Sequence, residues 1–94
     1  MKKELFCYLK SLGFENMDLD LLELKCPELK KVSSDSAFDC INLLTIHGYP
    51  EDDLSFLLAI NPKILLYKPK TLMNIINDIG DDFEEKLKEN PFLL

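Results

Sequence analysis

Two kinds of chain stop, glycine and then proline, alternate along these 94 residues at nearly constant spacing. Gly13 and Pro27 lie 14 positions apart, Gly48 and Pro62 again 14, and Gly80 and Pro91 11. Glycine accepts the positive φ in which many helices end, and proline lacks the amide that would continue a helix. A segment bounded by such stops can hold only a short helix. The three pairs therefore define about three copies of one unit, roughly residues 3–32, 33–68 and 69–94, each with one helix before Gly and another before Pro.

Side chains at fixed offsets from the stops agree in character. Eight, seven and four residues before the glycines stand Leu5, Phe6 and Leu9, then Cys40, Ile41 and Leu44, then Leu72, Met73 and Ile76. All are apolar, and their spacing places each triplet on one face of an α-helix, giving the first helix of every copy the same buried stripe. Eight residues before the prolines come Leu19, Leu54 and Phe83, which begin the inner face of the second helix. After proline the chain is again apolar, with Leu29, with Ile64, Leu65 and Leu66, and with Phe92, Leu93 and Leu94. No segment alternates with the period of two that a strand requires, so the class is all-α.

The stops and caps predict helices over about residues 3–12, 18–26, from near Ser36 to His47, from Pro50 to about Asn61, from Pro69 to Ile79, and a short one ending at Asn90. Ser36 and Asp39, and Asp81 and Glu84, have the spacing of a cap and its partner. The carboxylates Glu51, Asp52 and Asp53 follow Pro50, where the positive end of a helix dipole favours them. The terminal Phe92, Leu93 and Leu94 either fold back over the last copy or leave an apolar edge.

Ninety-four residues with 47% hydrophobic and 30% charged side chains fit a single folded domain over residues 1–94 rather than a disordered chain. No apolar run approaches the ~20 residues of a membrane-spanning helix, so no membrane association is expected. Met1, Lys2 and Lys3 resemble the start of a secretory signal, but Glu4 and Lys10 interrupt the apolar run that must follow. Cys7, Cys26 and Cys40 are odd in number and match neither a disulfide framework nor zinc spacing. They read as core residues of a protein in a reducing, cytoplasmic compartment.

The net charge is −6, and every one of the 11 Lys or Arg positions is Lys. Arginine is the usual bidentate reader of phosphate and guanine, so its absence weighs against sequence-specific nucleic-acid recognition. The acid excess is concentrated after residue 70, whereas residues 25–70 carry six lysines and six carboxylates.

The run Gly48-Tyr-Pro-Glu-Asp-Asp-Leu-Ser-Phe-Leu-Leu-Ala-Ile-Asn-Pro-Lys-Ile-Leu-Leu, followed by a helix to Gly80 and by Asn90-Pro-Phe-Leu-Leu, resembles the repeat of the mitochondrial transcription termination factor (mTERF) family. The likeness covers residues 40–94 well and residues 5–32 more loosely, where Cys26-Pro27-Glu28-Leu29 stands in for the motif and Lys30 interrupts the leucines. The resemblance implies an α-solenoid fragment: a left-handed stack of helix triplets, two α and one shorter 3₁₀ piece after each Pro. It also implies recognition of nucleic acid along a basic concave face, or action through protein partners. The chain departs from that family in having about three copies, no Arg-rich transit segment and an acidic total.

Lys25, Lys30 and Lys31 around Pro27, and Lys63, Lys68 and Lys70 around Pro62, are the candidate binding set. On one face they form a phosphate-binding strip with steep salt dependence; dispersed among acids they are solvated lysines. Asp52 with Asp53, and Asp81 with Asp82, lie at helix starts that account for them without catalysis or metal. His47 has no Cys or Asp partner at fixed spacing and is expected to pack near its helix end. Tyr8, Tyr49 and Tyr67 could stack on bases, but Tyr49 follows a Gly as Phe14 does, so packing is expected of it. With no catalytic motif and no cofactor loop, the expected function is non-enzymatic recognition of a protein partner, the alternative being a nucleic-acid-binding regulatory module that uses the lysines.

Overall fold

The computed structural model describes all 94 residues, Met1 to Leu94. It is all-helical, with no strand. The helices are α1 (Lys3–Ser11), α2 (Asn16–Lys25), α3 (Ser34–Ile46), α4 (Leu54–Ile60), α5 (Pro69–Ile79) and α6 (Phe83–Glu89). Short 3₁₀ turns occupy Pro27–Lys30, Pro62–Leu66 and Pro91–Leu93, each starting at a proline, and a further turn at Glu51–Asp53 runs directly into α4. No helix is long and apolar enough to cross a membrane.

The glycines end the first helices in the way their chemistry allows. Gly13 has φ +112° and Gly48 φ +98°. In both places the residue after Gly donates its amide five positions back, Phe14 to the Leu9 carbonyl (3.3 Å) and Tyr49 to that of Leu44 (3.0 Å). The glycine amides bond Lys10 and Thr45 at 3.1 Å. This pair of bonds is the Schellman closure, completed by an apolar residue after Gly. Phe14 and Tyr49 supply it and are buried. Gly80 is followed by Asp81, so α5 instead runs to Ile79 and ends with the Gly80 amide on the Ile76 carbonyl at 3.2 Å.

The prolines act on the residue ahead of them. Cys26, Asn61 and Asn90 have φ/ψ of −139°/81°, −130°/74° and −137°/94°, outside the helical region from which the proline ring excludes its predecessor. Each second helix therefore stops at the equivalent position, and the chain turns inward through the 3₁₀ segment.

What these stops arrange is one cluster of 21 buried apolar residues. α3 packs against both α1 and α5, and the turns Pro27–Lys30 and Pro62–Leu66 pack on each other. Leu5, Leu9, Leu44, Leu57, Leu72 and Leu87 are fully buried, each stabilising the fold by about 1.5–3 kcal/mol relative to exposure.

Several expectations are corrected. α3 is capped by Ser33, whose hydroxyl accepts from the Ser36 amide at 3.2 Å, so the helix begins two residues before Ser36 and the Ser36–Asp39 pair is not its cap. The capping box is at α2: Glu15 caps, and its amide donates to the Asp18 carboxylate at 2.9 Å. Asp82, not Asp81, sits at the cap of α6, without a side-chain hydrogen bond. Met73 is 39% exposed and Phe6 only half-buried, so the first-helix stripe is not uniform. Cys7 is exposed, unlike Cys26 and Cys40. At the C-terminus the two alternatives divide the segment: Leu93 and Leu94 pack on the core while Phe92 is exposed.

Candidate functional site

The six candidate lysines are all exposed, and none is in an ion pair; the salt bridges are Met1 amino group to Glu23 and Lys88 to Glu84. Lys25 ends α2 and donates its ammonium to the Ala59 carbonyl near the end of α4, at 3.0 Å. Lys30 and Lys31 close the turn after Pro27, and Lys63 lies in the neighbouring turn. The Lys63 ammonium is near enough to Cys26 to oppose the rise of its thiol pKa, which burial and the Glu28 carboxylate drive. Lys68 immediately precedes α5, without a side-chain capping bond, and Lys70 lies in its first turn. The post-proline turns thus bring Lys30 and Lys63 onto adjoining segments, whereas Lys25, Lys63 and Lys70 border three different hollows.

Gly13, Pro27, Gly48, Pro62, Gly80 and Pro91 each lie just past the end of a helix and so shape these surfaces. His47 is exposed at the end of α3, its ring edge-on to Phe83 at 6.3 Å. Tyr8 stands edge-on to Phe38 at 5.0 Å, and the Tyr67 hydroxyl donates to the Leu94 carbonyl. Tyr49 is buried, and its pKa is raised by that burial with Asp53 adding to it. Asp52 and Asp53 lie in the turn that starts α4, and Asp81 and Asp82 immediately precede α6.

The largest hollow lies elsewhere than the lysine turns. Between α2 and α4 runs an open groove of about 800 Å³. Phe14, Leu21, Leu22, Leu24, Phe56 and Ala59 supply its apolar lining, with Asp18, Lys25 and Ser55 at its polar margin. Phe14 and Leu22 are buried, while Leu21 is 57%, Leu24 78% and Phe56 64% exposed. Met17, on the same helix, is 73% exposed.

No known protein family, curated protein or solved structure matches the chain. The groove must accordingly be read from its own residues.

Its origin is a second apolar stripe on α2. Leu19 and Leu22 face the core, whereas Met17, Leu21 and Leu24, spaced four and three apart, form an outward stripe. A helix that merely covers a core needs one apolar face. α2 has two. On α4 the inward set is Leu54, Leu57 and Leu58, and Phe56 faces outward beside Leu21 across the groove. The positions of α6 that correspond to Leu21 and Leu24, counted back from the proline, are charged and exposed: Glu85 and Lys88. The stripe was visible in the sequence as Met17, Leu21 and Leu24, but the inward leucines of the same helix masked it.

A smaller hollow of about 420 Å³ between α3 and α5 has Ile46, 75% exposed, and Met73 at its rim. No group of three or more His, Cys, Asp or Glu side chains is placed so that it could hold a metal ion.

Proposed function

We propose that this chain is a non-enzymatic helical-repeat recognition module, mTERF-like in its stacking of three helix pairs, and that it binds a protein partner through the groove between α2 and α4. The observation that carries the reading is the outward apolar stripe: Leu21, Leu24 and Phe56 are more than half exposed in a chain that buries 21 other apolar residues. Contiguous exposed apolar surface marks interaction sites in soluble proteins. The repeat stacking is supported by the recurring backbone at Cys26, Asn61 and Asn90 and by the elongated 34 × 22 × 20 Å shape.

A second reading, nucleic-acid binding, draws on the six lysines that no carboxylate pairs. Against it stand the net charge of −6 and the spread of Lys25, Lys63 and Lys70 over three different hollows.

The test compares the purified chain with a Lys30→Glu, Lys31→Glu, Lys63→Glu, Lys68→Glu variant. The expected result is that both retain the same protein partner and that neither retards duplex or single-stranded nucleic acid at moderate salt. Retardation by the wild-type chain, abolished in the variant and accompanied by no retained protein, reverses the reading.

A further inference from the structure

The apolar groove has two charged residues in its lining, Asp18 and Lys25, one of each sign and both on α2. Resting on the recognition reading above, we propose that the protein it takes is a second copy of this chain. The two α2 helices pack antiparallel about a two-fold axis, with Asp18 of each copy beside Lys25 of the other.

The spacing of the outward stripe selects a helix as occupant. Met17, Leu21 and Leu24 lie within about 60° of one another around α2, at the four-and-three interval by which the side chains of two packed helices interlock. The helix that interlocks with them needs an uncovered stripe of the same interval. α2 itself presents one, whereas every other helix of the chain exposes at most one large apolar side chain. Ridge and hollow stand side by side on one face, so the same surface on a second copy fits both.

The two charges select the arrangement. Asp18 and Lys25 are seven residues apart and only about 20° apart around the helix, so both stand on one flank of the stripe. A two-fold axis crossing α2 between Leu21 and Leu22 turns that flank onto itself in the opposite direction. Both Asp18 to Lys25 pairs then form at once, with the two Leu21 side chains meeting at the axis. Lys25 can serve, because an ammonium has three donors and the Ala59 carbonyl takes one. A parallel pair leaves Asp18 without a cation. Asp20 stands on the opposite flank, outside the hollow, and stays in solvent. Phe56, on the other wall, closes over the α2 of the second copy.

Sedimentation of the purified full chain is expected to show a monomer to dimer equilibrium with Kd of roughly 10–100 µM, as for an interface of four large side chains a copy. Leu21→Gln with Phe56→Gln should weaken it at least about tenfold, and Lys25→Glu about five- to tenfold, as for two lost charge pairs. All three positions are exposed, and circular dichroism checks that the fold persists. Direction is read by oxidation in a Cys7→Ser background, where the remaining thiols are buried. Leu21→Cys sets its two thiols at the axis and should cross-link. The two copies of Met17 lie about nine residues, or about 13 Å, apart along the pair, beyond disulfide reach, so Met17→Cys should not.

A chain that stays monomeric at about 1 mM overturns the proposal. A dimer indifferent to Leu21→Gln with Phe56→Gln or to Lys25→Glu does the same, as does cross-linking through Met17→Cys as readily as through Leu21→Cys. A monomeric chain that captures a different protein, and loses it with Leu21→Gln and Phe56→Gln, removes the self-association and keeps the recognition reading. If that variant changes neither association nor capture, the reading falls with the proposal.

Discussion

Asn61 donates its side-chain amide to the carbonyl of Pro91, 30 residues further along, at 3.1 Å. Asn61 is the one buried polar residue of the chain, 6% exposed. It also precedes Pro62, so the residue that stops α4 ties down the turn that begins at Pro91. Asn61→Ala leaves that carbonyl without its partner and should lower stability by about 1–2 kcal/mol. Asn61→Asp should cost more, because it sets a carboxylate against a carbonyl in a buried site. Urea unfolding measures both; an Ala variant within about 0.3 kcal/mol of wild type contradicts the role.

Gly48 offers a test of the helix stops. At φ +98° any side chain strains the backbone, and a Cβ there would stand 3.2 Å from the Glu84 carboxylate. Gly13, at φ +112°, has nothing within 4 Å of the same position. The Glu84 side chain can swing away, giving up only its solvent-screened 3.0 Å ion pair with Lys88. Gly13→Ala and Gly48→Ala should therefore each destabilise by about 1 kcal/mol or more, Gly48→Ala by slightly more. A Gly48→Ala cost several kcal/mol above that of Gly13→Ala means that Glu84 is held more rigidly than its exposure implies.

The thiols should differ in reactivity. Burial, with the Asp39 charge adding to it, pushes Cys40 from the ordinary 9.0 up to about 11, and Cys26 is raised as well. Cys7 is exposed. At pH 8 about one Cys40 thiol in a thousand is ionised, so alkylation followed by mass spectrometry should modify Cys7 first. Between pH 9 and 11 the unfolded chain releases the Cys40 proton and the folded chain keeps it, so this group's contribution is intact below pH 9 and is lost as pH rises through 11. Cys40→Ala should show a shallower alkaline loss of stability than wild type; parallel curves contradict the assignment.

Much of this fold could be read from residue order because its punctuation is local. Gly13 and Gly48 each need only the next residue and the five before it, and the backbone at Cys26, Asn61 and Asn90 is set by the proline that follows. The misreadings arose where two local solutions compete. Ser33 and Ser36 have side chains of the same capping chemistry, so residue order alone does not choose between them; in the folded chain Ser33 is the cap, with Leu29 and Val32 just before it packed on the core. The charge of the lysines is visible in one dimension. The groove is not, since Leu21 and Phe56 stand 35 positions apart and come to line one hollow only in the folded chain.

That outward face is the centre of the account, and one variant interrogates it. Leu21→Gln, Leu24→Gln and Phe56→Gln together change only side chains that are more than half exposed. The decisive measurement is urea unfolding of this variant alongside quantitative capture of the protein partner. The account predicts stability within about 0.5 kcal/mol of wild type, as for surface positions, together with loss of the partner. A loss of several kcal/mol, which would place these residues in the core, or an undiminished capture would contradict it.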